Sequence, residues 1–344
     1  MPDRRSAPTL ESVAAVAGVS RATAGRVLQG YTTVGDDARE AVLRAADELG
    51  YVTNRAARAL MTRRSGSVAF VVAEPEERFF ADPHFALVLR GAHAAVAEHD
   101  VQLVFSIVHG DAERERFERF ARAGHLDGVI LASLHGDHPL PHTLAEAGIP
   151  VVLLGRPMAA IAGVSYVDAD NVHGGRLAAS RLADAGRTRL ATISGPRDMT
   201  VALDREEGFR AELAARGLGP GVAAEGDFSV EGGRRAMAAL LAAPERIDGV
   251  FAASDLMALG AFQAIADAGL RVPDDGDVVG HPQAGVGFDD MPLAATVRPG
   301  LTTVRQPAVA MGAQLATGLL RAIEDGVPAD TVLVPTELVA RDSA

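Results

Sequence analysis

Residues 21–26, RATAGR, place Arg21, Ala22 and Arg26 where one face of a helix would present them together. Arginine can donate two hydrogen bonds at once to O6 and N7 of guanine, whereas alanine can only touch a thymine methyl, so the chemistry on offer is the reading of base edges. Other chemistries find less support. The chain has no cysteine, which removes disulfides, thiolate zinc sites, iron–sulfur clusters and a cysteine nucleophile. His135, His138 and His142 with Asp137 have loose metal-ligand character, but LHGDHPLPH is broken by Pro and Gly and reads as a surface loop of solvated histidines. GVG at 285–287 lacks both the GxGxxG spacing and a P-loop lysine. Ser254 and Asp255 lack a positioned histidine, so no hydrolase triad is supported. No catalytic residue, metal site or cofactor is expected.

The elements that would position Arg21 can be read around it. Thr9 can cap LESVAAVA, in which Leu10, Val13, Ala14 and Ala17 share one helical face. Gly18 ends that helix, Val19 turns the chain, and Ser20 caps a second helix whose Ala24, Val27 and Leu28 pack back on the first. Two short helices around a Gly turn make a helix-turn-helix, with the second helix offered to the major groove. A third helix is expected from Asp36 to Leu49, with Asp36 and Asp37 at its positive end, Val42, Ala45, Ala46 and Leu49 inward, and Gly50 as its stop. Periodicity alone leaves two possibilities open, a DNA reader and a plain three-helix packing unit.

The charge distribution bears on that choice. The chain has 344 residues and a net charge of -12, which by itself argues against a nucleic-acid partner. Residues 1–64, however, hold ten Arg against seven acidic groups, a balance of +3, so the excess of acid lies wholly in the rest. Every basic residue is Arg and none is Lys, a bias best assigned to a GC-rich genome rather than to function. At 48% hydrophobic and 23% charged the chain is an ordinary globular protein of two or three domains. No apolar run approaches the roughly 20 residues of a membrane span, and MPDRRSAPTLES has no apolar signal core, so a cytoplasmic location is expected.

From Ser67 the pattern changes. Short apolar runs recur at SVAFVVAE, VQLVFSI, GVILAS, PVVLLG, RLATISG and GVFAAS, and amphipathic stretches such as FALVLRGAHAAVAEH, HGGRLAASRLADAG and DLMALGAFQAIADAG lie between them. Such alternation specifies α/β architecture with parallel sheets covered on both faces, and about 280 residues of it suits two sheets.

TLESVAAVAGVSRATAGRVLQG followed by ELGYVTNRAARAL resembles the DNA-binding head of the LacI/GalR family of bacterial transcription regulators, in order and spacing over residues 9–60. The resemblance continues in DADNVHGGRLAASRLADAGRTRLATISG, DREEGF, FAASDLMALGAFQAI, GFDD, PGLTTVRQP and VPTELVARDS, and so covers nearly the whole chain. It implies a small all-α helix-turn-helix head over 1–52, a hinge helix and linker over 53–64, and a type I periplasmic-binding-protein-like body of two subdomains. Their implied bounds are 65–167 with 301–325 and 168–300 with 326–344, the chain crossing near Asp168, Gly300 and Gly326. It also implies that Arg21 and Ala22 decide operator sequence, with Ser20, Thr23 and Arg26 among the DNA contacts. On the hinge it adds Asn54, Ala57, Arg58 and Leu60. Asn54 can cap RAARALM, and a helix of one or two turns, unstable alone, would be ordered by DNA. By the resemblance Leu60 wedges open a minor-groove base step.

For the body the resemblance implies ligand contacts from His84, Phe85, Arg205, Phe228, Ser254 and Asp289. A carboxylate facing a guanidinium in a cleft can accept from and donate to hydroxyls, which is sugar-binding chemistry; a structural salt bridge is the alternative. No tryptophan is available for stacking, and Phe79, Phe80, Phe85 and Phe228 could substitute. Asp255 reads as the N-cap of LMALGAF. Three positions depart from the family pattern. Gly25 stands where Ser is usual, Thr53 replaces the Pro before the hinge Asn, and VVGHPQAGVGFDD carries about six extra residues, at 281–286, before GFDD. Either VVG or AGVGF is then the strand, and the place of Asp289 depends on which.

The expectation is a ligand-responsive repressor, a homodimer on double-stranded, near-palindromic operator DNA, released by a small effector, most simply a carbohydrate. The chain ends four residues past Ala340 without a heptad segment, so a dimer rather than a tetramer is expected. A transport solute-binding protein would need an export signal in place of the head. A doubly wound enzyme would need a nucleophile, metal cluster or cofactor loop.

Overall fold

The computed structural model describes residues 8–28, 33–51, 64–272 and 284–344, which fall in two compact units, Met1–Ser65 and Gly66–Ala344. In the first, α1 (Leu10–Val16), α2 (Arg21–Leu28) and α3 (Asp36–Leu49) enclose Val13, Ala24, Val27, Val42 and Ala45. Thr9 and Ser12 form a reciprocal capping box on α1. Gly50 ends α3 at φ 61°, a left-handed conformation that costs glycine little.

The second unit is two lobes, each a six-stranded sheet between helices. In chain order its strands are β1 (Ser67–Val72), β2 (Gln102–Ile107), β3 (Gly128–Ala132), β4 (Val151–Leu154), β5 (Val164–Ala169), β6 (Leu190–Ser194), β7 (Val222–Glu225), β8 (Gly249–Ala252), β9 (Ala284–Asp289), β10 (Thr302–Arg305), β11 (Val332–Val334) and β12 (Glu337–Val339). The helices that matter below are α4 (Glu76–Ala81), α5 (Pro83–Ala97), α6 (Asp111–Phe120), α7 (Pro139–Glu146), α8 (Asn171–Asp184), α9 (Thr200–Ala215), α10 (Val230–Ala242), α11 (Asp255–Asp267) and α12 (Ala308–Asp325). The sheet orders are β11-β5-β4-β3-β1-β2 and β12-β10-β9-β8-β6-β7, the same winding twice, and among the described residues only the β10–β12 pair is antiparallel. Along β1, Val68, Phe70 and Val72 join one core and Ala69 and Val71 the opposite one. Both faces are therefore buried, which is why the strand sequences read as continuous apolar runs rather than alternating ones.

Three helix pairs approach through reciprocal glycines. A Cβ on Gly175 of α8 would collide with the Arg205 carbonyl, and one on Gly208 of α9 with the Val172 carbonyl; Gly91 and Gly312 do the same for α5 and α12, and Gly233 and Gly260 for α10 and α11. The α8–α9 contact brings Arg205 beside Asn171.

The chain passes between lobes after Ala169, between Arg305 and Ala308, and between Val334 and Glu337. The first crossing lies beside the expected Asp168, and the others differ from the expected Gly300 and Gly326. TTVR still pairs with β9 in the second sheet before the chain leaves it. Gly326 is the left-handed cap of α12, after which β11 pairs with β5 in the first sheet. A glycine marks a helix end equally well whether or not the chain then changes lobe.

Candidate functional site

On α2, Arg21, Ala22 and Arg26 are exposed, as a base-reading face requires. Ser20 and Thr23 are occupied locally: the Thr23 amide donates to Ser20 Oγ at 3.1 Å and the two hydroxyls are 2.9 Å apart, capping the helix. Arg21 Nε lies 2.9 Å from the Glu11 carboxylate on α1, an exposed ion pair that sequence reading missed. Gly25 is not demanded by packing, since a Cβ there would meet only Leu10 at an ordinary 3.7 Å. Asn54, Ala57, Arg58 and Leu60, with Thr53, lie outside the described residues.

In the body, His84, Phe85, Arg205, Phe228, Ser254 and Asp289 line one cavity between the lobes, about 610 Å³ including space open to solvent. Arg205 is its centre. Buried on α9, it donates from Nε to Asn171 Oδ1 at 2.9 Å and from Nη1 to the Ala253 carbonyl at 2.6 Å. Its guanidinium lies 3.6 Å from the Phe288 ring centroid and Nη1 is 3.8 Å from Asp289 Oδ1. Burial lowers the arginine pKa, against the opposing pull of Asp289 and Asp168. Burial raises that of Asp289, against Arg205 and His84. Gln306, at the second crossing, donates to Asp289 at 2.6 Å and lies 3.5 Å from His84 Nδ1, so one amide touches groups of both lobes.

The extra residues near 281 do not displace Asp289. AGVGFD is β9, so Asp289 ends that strand and lines the cavity, and 281–283 lie outside the described residues. Asp289 has φ 112°, Phe228 59° and Ser133 60°, so three of the five described non-glycine residues at positive φ line this one cavity. Such conformations cost of order 1–3 kcal/mol each and collect where a site over-determines its backbone. Ser254 accepts the Met257 amide as the cap of α11. Asp255, expected to be that cap, instead starts the helix fully buried, accepting the Met291 amide at 2.8 Å and the Thr303 hydroxyl at 2.6 Å. The helix begins one residue earlier than its apolar stripe suggested. Burial, with Asp289 nearby, pushes the Asp255 carboxyl well up.

Arg78, Asp82, Ser133, Asp168 and Gln306 also line the cavity and were not picked out by sequence reading. Ser133, Asp168 and Gln306 stand at or just past the carboxyl ends of β3, β5 and β10, where open α/β sheets bind ligands, so that rule applied strand by strand finds them. Phe85 is mostly core, 5.9 Å from Phe79.

Several contacts tie the lobes together around the cavity. Arg78 donates to the Asp227 carbonyl at 2.8 Å, Arg156 pairs with Asp204 at 2.6 Å, and Gly136 donates to the Asp198 carbonyl at 2.8 Å. His135, expected to be solvated, is half-buried, with Nδ1 3.0 Å from Asp198 and Nε2 3.3 Å from Glu74. LHGDHPLPH is not all loop either, because α7 starts at Pro139 with His138 as its cap. His142 pairs with exposed Asp137 at 3.1 Å. Among the described residues no cluster of three or more His, Cys, Asp or Glu is arranged to hold a metal, and no helix is long and apolar enough to cross a membrane.

A three-helix head bearing exposed arginines and a two-lobed body enclosing a polar cavity define a ligand-responsive DNA-binding regulator. Residues 9–54 match the model of bacterial regulatory proteins of the lacI family, and 179–344 match a periplasmic binding protein-like domain. The chain is 43% identical to the HTH-type transcriptional regulator CelR of Thermobifida fusca, over 99% of both proteins, and 33% identical to the ribose operon repressor of Halalkalibacterium halodurans, over 97% of this chain and 96% of that one. Among solved structures, a CelR–cellobiose complex is 41% identical with a TM-score of 0.76, over 98% of this chain and all of that one. A lac repressor dimer bound to operator and the anti-inducer ONPF is 25% identical with a TM-score of 0.81, over 98% and 99%. The chain belongs to the LacI family of transcription regulators.

Proposed function

We propose that this regulator is a cytoplasmic homodimeric repressor whose operator is released when a carbohydrate fills the body cavity. The observation that carries the effector class is the buried Arg205–Asp289 pair with Gln306 between lobes: a fixed donor, a fixed acceptor and an amide suit vicinal hydroxyls. The cellobiose of the CelR complex and the ribose operon repressors among the relatives point to the same class. Arg21, Ala22 and Arg26 read the operator, with Ser20 and Thr23 holding the start of their helix and Asn54, Ala57, Arg58 and Leu60 contacting DNA through the hinge. The aromatic cluster of Phe79, Phe80 and Phe105 beside edge strand β2, with Phe80 71% exposed, supports a second copy of the chain as partner. Nothing in the reading requires catalysis, for the Ser254 hydroxyl serves as a helix cap.

Effector and operator then compete through lobe closure, and the coupling is reciprocal: each weakens the other by one common factor. The test is a thermal-shift screen of sugars against nucleosides and purines. A ligand at 100 times its Kd stabilises by about 2.7 kcal/mol, a shift of several degrees. Stabilisation by a sugar is expected, and stabilisation by purines alone would overturn the carbohydrate assignment.

A further inference from the structure

The two exposed arginines of α2 are not equivalent. Arg26 pairs with no carboxylate among the described residues, whereas Arg21, the first residue of the helix, has Nε 2.9 Å from Glu11 Oε1. Glu11 comes from a different helix, in the first turn of α1, and both side chains of the pair are exposed. The backbones that carry them are fixed against each other before DNA arrives. Val13 and Ala14 of α1 share one core with Ala24 and Val27 of α2, and Leu10 packs over Gly25. The atom that Glu11 engages also matters. With Nε held, Nη1 and Nη2 remain as a pair of donors, and two parallel donors match O6 and N7 of guanine.

We infer that Glu11 is a specificity-determining residue of the head: it holds Arg21 by Nε in the free protein, so that the arginine meets a base edge with Nη1 and Nη2 leading instead of closing on a phosphate. This rests on Arg21 as a base reader. The carboxylate has two effects of opposite sign. It offsets a positive charge that would otherwise seek phosphates wherever the protein lands, so binding to arbitrary sequence is weakened. It also presets a long, flexible side chain, so the planar fork loses less freedom when it grips guanine. The gap between the operator and other duplexes therefore widens without Glu11 itself touching a base.

The experiment is a double-mutant cycle on the full chain, with parent, Glu11→Gln, Arg21→Ala and the double variant. Each is titrated with a duplex selected by the parent from a random-sequence pool, with every single-base-pair variant of that duplex, and with a shuffled duplex over a range of salt concentrations. Melting curves verify that each protein is folded. Glu11→Gln should bind the shuffled duplex more tightly, and its plot of log affinity against log salt should be steeper by about 0.9, the value of one phosphate contact. At the base pair that Arg21→Ala relaxes, Glu11→Gln should lower discrimination by roughly two- to fivefold, the range of an exposed ion pair. Other positions should stay as they are. In the Arg21→Ala background the same substitution should change neither discrimination nor slope. Discrimination equal to the parent's in Glu11→Gln would overturn the inference. So would a loss that persists without Arg21, since Glu11 would then meet a base directly. Unchanged base preference in Arg21→Ala would overturn Arg21 as the reader, and the positioning role with it.

Discussion

Arg21 and Arg205 present the same guanidinium in opposite surroundings. Arg21 is 70% exposed with one carboxylate 2.9 Å away, whereas Arg205 is 6% exposed with Asp289 at the longer 3.8 Å and an amide, a carbonyl and an aromatic ring also against it. The shorter pair is the weaker one. In water an exposed ion pair is worth 0 to about 1 kcal/mol and opens readily, so in the proposed function Glu11 would aim Arg21 and release it to a base. In the cavity every partner is desolvated, so Arg205 is held where a ligand will find it and its loss leaves buried groups unpaired.

That contrast can be broken most forcefully at Arg205. Arg205→Ala should lower stability by roughly 3–5 kcal/mol, because Asn171 and the Ala253 carbonyl lose their donor and Asp289 its buried counter-charge; a denaturant midpoint equal to the parent's would contradict it. Arg21→Ala should leave that midpoint alone within about 0.5 kcal/mol yet cost roughly 1–3 kcal/mol at one operator base pair, as measured with a panel of point-substituted duplexes. Gly25→Ala should stabilise α2 by about 1 kcal/mol, seen as slower amide exchange in that helix, since its Cβ has room beside Leu10.

The smallest effect is the pH response of the cleft. The hydrogen bond to Glu74 raises the His135 pKa above its ordinary 6.5, against the effect of burial and with help from Asp198. Bonds from His135 and Ser133, with Arg78, lower the Glu74 pKa in spite of burial. Protonated His135 therefore holds the lobes together fully below about 6.5, and the contribution is lost as pH rises through the raised value. Effector affinity should fall by a few-fold between pH 6 and 8.5 in the parent and vary less in His135→Gln.

The head was nearly all legible from sequence, because short amphipathic helices announce themselves through caps and 3.6-residue periodicity: α3 begins and ends where Asp36 and Leu49 indicated. The strands first noticed were those flanked by turn residues, and β7, whose residues are alternately half-buried and exposed, gave no apolar run to notice. In the cavity, Arg205, His84 and Asp289 were found, whereas Arg78, Asp82, Asp168, Gln306 and Ser133 were not. A lone Gln or Ser acquires meaning only through a crossing or a strand end, and the second crossing was itself placed five residues early. The short α4, which carries Arg78, has no buried stripe to betray it.

Linkage between the cavity and the head is tested most directly at Asp289. An operator duplex selected by the parent protein from a random-sequence pool is titrated with parent and Asp289→Asn, with and without the sugar that most stabilises the parent in the thermal-shift screen, and each protein is melted in parallel. Asparagine retains an oxygen for Gln306 but loses the charge, and a charge-assisted hydrogen bond is worth roughly 1.5–3 kcal/mol. The variant should bind the duplex as the parent does and need ten- to a hundredfold more of that sugar for release. Release of Asp289→Asn at the sugar concentration that releases the parent would remove Asp289 from the effector site.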